Sequence, residues 1–144
     1  MFASVLVATD GSETASEAVR VATELATTFG ATLHIASVYK AGGSALKVPD
    51  MTMAVPEGVD RGSVAATQTD AIAALARSKG VTVETHVVSG NVADNIVAIA
   101  EENAIELIVV GNKGMKGLKR VLGSVPNDVA HSASCAVLIV NTTD

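Results

Sequence analysis

The residues best placed to do chemistry fall in one stretch: Val110-Gly111-Asn112-Lys113-Gly114-Met115-Lys116-Gly117-Leu118-Lys119-Arg120-Val121-Leu122-Gly123-Ser124. An apolar run feeds into glycines, then lysines, then a Gly-Ser pair that reads as a helix start. Glycines let backbone N–H groups come close to an anion, and a helix N-terminus adds unpaired donors and a favourable dipole. Ser124 Oγ offers one more donor, while Lys113, Lys116, Lys119 and Arg120 raise the local potential. The chemistry this suits is phosphate binding. The same residues also suit a tight turn with C-cap glycines beside a solvated basic face, and composition alone leaves both readings open.

The elements around this stretch are legible from their periods. Ser4 to Thr9 is a short apolar strand ending at Asp10-Gly11-Ser12. Ala15, Ala18, Val19, Ala22, Leu25, Ala26 and Phe29 then follow helical spacing, with Gly30 as the stop and Ser12 or Thr14 as the cap. Thr32 to Tyr39 is a second strand, and the helical crossover implies parallel pairing. Lys40 to Arg61 carries Gly42, Gly43, Pro49, Pro56 and Gly58 without a sustained period, as a lid, a binding loop or a disordered excursion would. A helix from about Gly62 to Ser78, an edge strand from Val81 to Val88 and a helical stripe of Val92, Ile96, Ile99 and Ala100 follow. Ile105 to Val110 is an apolar strand, Ser124 to Ser132 a helix with Pro126 in its first turn, and Ala136 to Val140 a last strand.

Five strands alternating with four helices predict one α/β domain over residues 1–144, with no internal repeat and no linker. Its expected form is a five-stranded parallel sheet of order 3-2-1-4-5 with helices on both faces. Ligands of such sheets sit beyond the carboxyl ends of the strands, where the strand order reverses. That crevice would lie between the first and fourth strands. Asp10 ends the first and Gly111 ends the fourth, so both would face one site.

Bulk composition narrows the partners. Hydrophobic residues make up 49% of the 144 and aromatic ones 2%, so the core must be built from Val, Ile, Leu and Ala. The net charge of −5 argues against broad affinity for nucleic acid or anionic lipid, whereas the clustered lysines favour a small anionic ligand. No apolar run approaches the roughly 20 residues that span a bilayer. With one cysteine, Cys135, no internal disulfide can form, and the N-terminus does not read as a signal peptide. A soluble cytoplasmic protein is the expectation.

Asp10-Gly11-Ser12 after the first strand, Leu107-Ile108-Val109-Val110-Gly111, and Gly123-Ser124-Val125 before a helix and a Val-Leu-Ile-Val strand together resemble the universal stress proteins. The likeness covers essentially the whole chain. The nucleotide-binding branch of that family carries G-x2-G-x9-G-[ST]; here Gly111 and Gly114 keep the first gap, and the gap to Gly123-Ser124 is one residue shorter, with Gly117 inside it. The resemblance implies an adenine nucleotide as ligand: ATP, or AMP or cyclic AMP, with Mg as a companion of ATP. It implies Asp10 against ribose or base, Ala8 and Val38 beside the adenine, and Val110 and Gly111 bordering base and sugar. Gly114, Gly123, Ser124 and Val125 would hold the phosphates. Asp10 is also at home as the neighbour of a helix N-cap.

Other reactive types are scattered. His34, His86 and His131 have no metal-ligand spacing, so no metal site is expected, and His34 and His86 read as strand residues near the surface. Cys135 reads as a packed small residue rather than a nucleophile. Met51, Met53 and Met115 fall in loops. Neither a G-x-S-x-G elbow nor a P-loop is present, and no general base or carboxylate pair is aimed at the phosphate segment. No catalytic residue is assigned. The leading expectation is a nucleotide-responsive stress or signalling protein; the rivals are a slow ATPase or phosphotransferase and a dimer that has lost nucleotide binding. Val137 to Val140, apolar and at a sheet edge, predicts a homodimer through the last strand.

Overall fold

The computed structural model describes residues 1–10, 13–39, 60–112 and 124–142. The expected long loop before Arg61 and its methionines, Gly114, Gly123 and the lysines between them lie outside the described residues, as do Ser12 and the Thr14 side chain. The elements, in chain order, are β1 (Ser4–Thr9), α1 (Glu13–Phe29), β2 (Thr32–Tyr39), α2 (Arg61–Ser78), β3 (Val83–Ser89), α3 (Val92–Glu102), β4 (Leu107–Gly111), α4 (Val125–Ser132) and β5 (Ala136–Val140). All strand pairs are parallel and the order is β3-β2-β1-β4-β5, as the sequence predicts.

Alternation along the strands divides the core between two faces. Val5, Val7, Leu33, Ile35, Leu107 and Val109 pack with Ala18, Ala22 and Ala26 of α1 and with Ala73 and Ala76 of α2. Leu6, Ala36, Ile108 and Val110 point the other way, onto Ile96 and Ile99 of α3 and Val129 of α4. Leu6 and Ile108 are fully buried, and each such side chain contributes roughly 1.5–3 kcal/mol relative to exposure. The alanine stripe of α1 explains how a core so poor in aromatics closes: small residues let the helix lie low on the sheet. Gly30 ends α1 at φ 64° and Gly80 follows α2 at φ 86°, conformations that side chains with a Cβ adopt only under strain.

Two strand starts differ from the sequence reading. β3 begins at Val83 rather than Val81, and β4 at Leu107 rather than Ile105. Ile105 is buried, but its N–H donates to the Ala100 carbonyl at 2.9 Å, so the chain there is still leaving α3. Hydrophobicity marked its burial correctly and its backbone pairing wrongly. Among the described residues no helix is long and apolar enough to cross a membrane.

Candidate functional site

The register Leu6↔Ile108 and Val7↔Val109 carries β1 and β4 side by side to their carboxyl ends. There the sheet order turns from β2 to β4 across β1, and a cleft of about 200 Å³ opens. Ala8, Val38, Val92 and Val110 form apolar walls. Thr9 and Asp10 enter from the end of β1, Ala15 from α1, Gly111 from the end of β4, and Val125 and Pro126 from the start of α4. The last lining residue, Thr142, lies two residues past β5.

Of the residues singled out from the sequence, Ala8, Asp10, Val38, Val110, Gly111 and Val125 line this one cleft. Ser124 adjoins it as the N-cap of α4, in extended conformation at φ −145° and ψ 164°. Its Oγ accepts from the Asn127 N–H at 3.3 Å, which engages one of the oxygen's lone pairs and leaves the hydroxyl hydrogen to turn elsewhere. Val125, 37% exposed, is the first helical residue, and Pro126 behind it is buried, a tolerated place for a residue without an N–H. Gly114 and Gly123 lie outside the described residues.

Thr9, Ala15, Val92, Pro126 and Thr142 are lining residues that the sequence reading did not single out. Thr142 reaches the cleft through the strand register, which no sequence feature announced. Pairing of Gly111 with Val140 places the residues just beyond them together, and Asn112 meets Asn141 and Thr142 there. Gly111 is tightly constrained at the same spot: a Cβ on it would stand 3.1 Å from Thr142 Cγ2.

The chain belongs to the universal stress protein family. A model described as "Universal stress protein family" matches residues 1–141. Universal stress protein YxiE of Bacillus subtilis is 34% identical, over 97% of this chain and 99% of its own. A universal stress protein crystallised in complex with cAMP is 30% identical and superimposes with a TM-score of 0.80, over 99% of this chain and 98% of the other. The protein Rv1636 of Mycobacterium tuberculosis is 31% identical in structural alignment at a TM-score of 0.63, covering 99% and 97% of the two chains. The sheet order is therefore that of a universal stress protein fold.

Two titratable residues of this universal stress protein, His34 and Cys135, lie outside the cleft. His34 is not near the surface, as its strand position suggested, but 4% exposed on the α3 side of the sheet. Ala36 shares that face, and His86 and Glu84 of β3 stand beside the ring. Burial pushes its imidazole below the ordinary value. Cys135 is half-buried against the core, and burial pushes its thiol up, away from the reactive thiolate. Among the described residues no group of three or more His, Cys, Asp or Glu is arranged to hold a metal.

Proposed function

We propose that this protein binds an adenine nucleotide in the β1–β4 cleft and acts by ligand-dependent shape or partner choice rather than by turnover. The observation that carries the reading is convergence. Six residues chosen along the sequence, from Ala8 to Val125, meet around one mostly apolar cleft at the strand-order reversal. Pockets for whole drug-sized ligands run to about 300–1,000 Å³, so a cleft of about 200 Å³ suits a base and part of a sugar, with the phosphates beyond its rim. Ala8, Val38 and Val110 would sandwich the adenine. Asp10 would accept from ribose hydroxyls, and Val125 with Ser124 would present the α4 N-terminus to phosphate. Gly114 and Gly123 would complete the phosphate contacts.

The relative of similar length crystallised with cAMP supports an adenine ligand for this fold. ATP and AMP remain in the same proposal, with Mg arriving on ATP and Asp10 the one carboxylate among the described lining residues. The test is titration of the purified protein with ATP, AMP and cyclic AMP, alongside mass spectrometry of any small molecule released on denaturation. Saturable binding without phosphate release is the expected result. Phosphate release at a steady rate would move the reading to a slow ATPase, and no binding of any of the three would overturn it.

A further inference from the structure

Beyond the last ladder pair of β4 and β5, Asn112 joins the two segments. The Asn112 N–H donates to the Val140 carbonyl at 2.9 Å, extending the ladder by one bond. Asn112 Oδ1 then accepts twice from Thr142, from its N–H at 2.9 Å and from Oγ1 at 3.0 Å. Asn112 Nδ2 donates to Asn141 Oδ1 at 3.0 Å. A carboxamide suits this post because it carries acceptor and donor on one short stem. On the inner side, Thr142 rests where Gly111 has no side chain, 3.1 Å from the position a Cβ would take. Thr142 is in turn a wall of the cleft.

We propose that Asn112 is a positioning residue for the ligand: it latches Thr142 against Gly111 and so builds the β5-side wall of the cleft before anything binds. The inference rests on the nucleotide reading above. Segments beyond a last strand are poorly ordered unless tied down, and Asn112 supplies the tie. A wall fixed in advance spares the ligand the entropy of ordering it, which is how preorganisation raises affinity. Asn112 acts through Thr142, so its removal and the removal of Thr142 must cost the same thing.

That equality gives the experiment. Cyclic AMP and neutral adenosine are titrated into the wild type, Asn112→Ala, Thr142→Ala and the double variant, with amide exchange followed at Thr142 without ligand. Each single variant is expected to weaken binding about tenfold, on the order of one net hydrogen bond, and the double variant no more than the worse single. Exchange at Thr142 speeds up in Asn112→Ala. Asn112→Asp, whose carboxylate still accepts both bonds from Thr142, recovers adenosine binding. Wild-type affinity in Asn112→Ala, or losses that multiply in the double variant, would overturn the latch while leaving the nucleotide reading standing. A wild type that takes up neither compound would overturn the nucleotide reading, and the ligand role of Asn112 with it.

Discussion

His34 meets His86 edge to edge, their rings 14° from parallel with centroids 5.2 Å apart, and His34 Nδ1 is 2.9 Å from His86 Nε2. One of these nitrogens must donate and the other accept, so the contact tolerates one proton on the pair and not two. The other nitrogen of His34 is 3.4 Å from Glu84 Oε2. Burial is the main force lowering the His34 pKa; Glu84 opposes it and His86 adds to it. The folded state therefore holds this proton less well than the unfolded chain does. Its contribution is present above the ordinary histidine value, about 6.5, and is lost as pH falls through the lower folded value. Urea melts at pH 7, 6 and 5 should show a midpoint that drops with acid. His34→Leu should show a flatter profile, and parallel profiles for the two proteins would rule this account out.

His34 also marks where sequence reasoning ran short. Burial of Leu33, Ile35 and Ala36 follows from hydrophobicity, whereas His34 is buried only because β3 supplies His86 and Glu84 beside it. Such pairing is a tertiary fact with no local signal. Parallel pairing, by contrast, was legible because each helical crossover requires it; the order 3-2-1-4-5 came with the family resemblance, and that order places Asp10 and Gly111 together. Thr142 sits between these cases. Its place in the cleft depends on the β4–β5 register, and a polar segment carries no hydrophobic pattern from which to read a register.

Filling the cleft should separate binding from folding. Ala8 is half-buried, packed against the α3-side core and also lining the cleft. Ala8→Leu would send its added carbons into that space, so the overpacking cost stays at the low end of about 1–3 kcal/mol. The expected outcome is a melting temperature within several degrees of the wild type and adenine nucleotide affinity reduced at least about tenfold, the effect of losing roughly 1.4 kcal/mol. Calorimetry showing unchanged affinity would place the base elsewhere.

Ser124 has one observed duty, as a cap, and one proposed, toward phosphate. As N-cap of α4 its Oγ accepts from Asn127, and Ser124→Ala should cost about 1 kcal/mol of stability. Ser124→Asp keeps a good cap and complements the helix dipole, so its stability should match the wild type. The new carboxylate would, however, stand where phosphate is proposed to sit. Binding of ATP should fall in Ser124→Asp while binding of adenosine holds. Equal losses for both ligands would mean that the phosphates do not lie at the α4 N-terminus.

Among the described residues no strand pairs with the outer edge of β5. Leu138 and Ile139 are 38% and 36% exposed, large apolar residues at the border of the sheet. The Asn112 N–H donates to the Val140 carbonyl, so the polar groups of Val140 face β4. Alternation along a strand then turns those of Ile139 outward, away from β4. Unpaired donors and acceptors on an apolar edge are a template for another strand, and a two-fold copy of β5 pairing antiparallel would bury both edges together. Ile139→Pro tests this cleanly, because it removes an outward N–H and none of the bonds that hold β5 to β4. The wild type is expected to be a dimer by light scattering. The variant should be a folded monomer with its β4–β5 amides still protected, and a variant that stayed dimeric would show that the subunits meet through another surface.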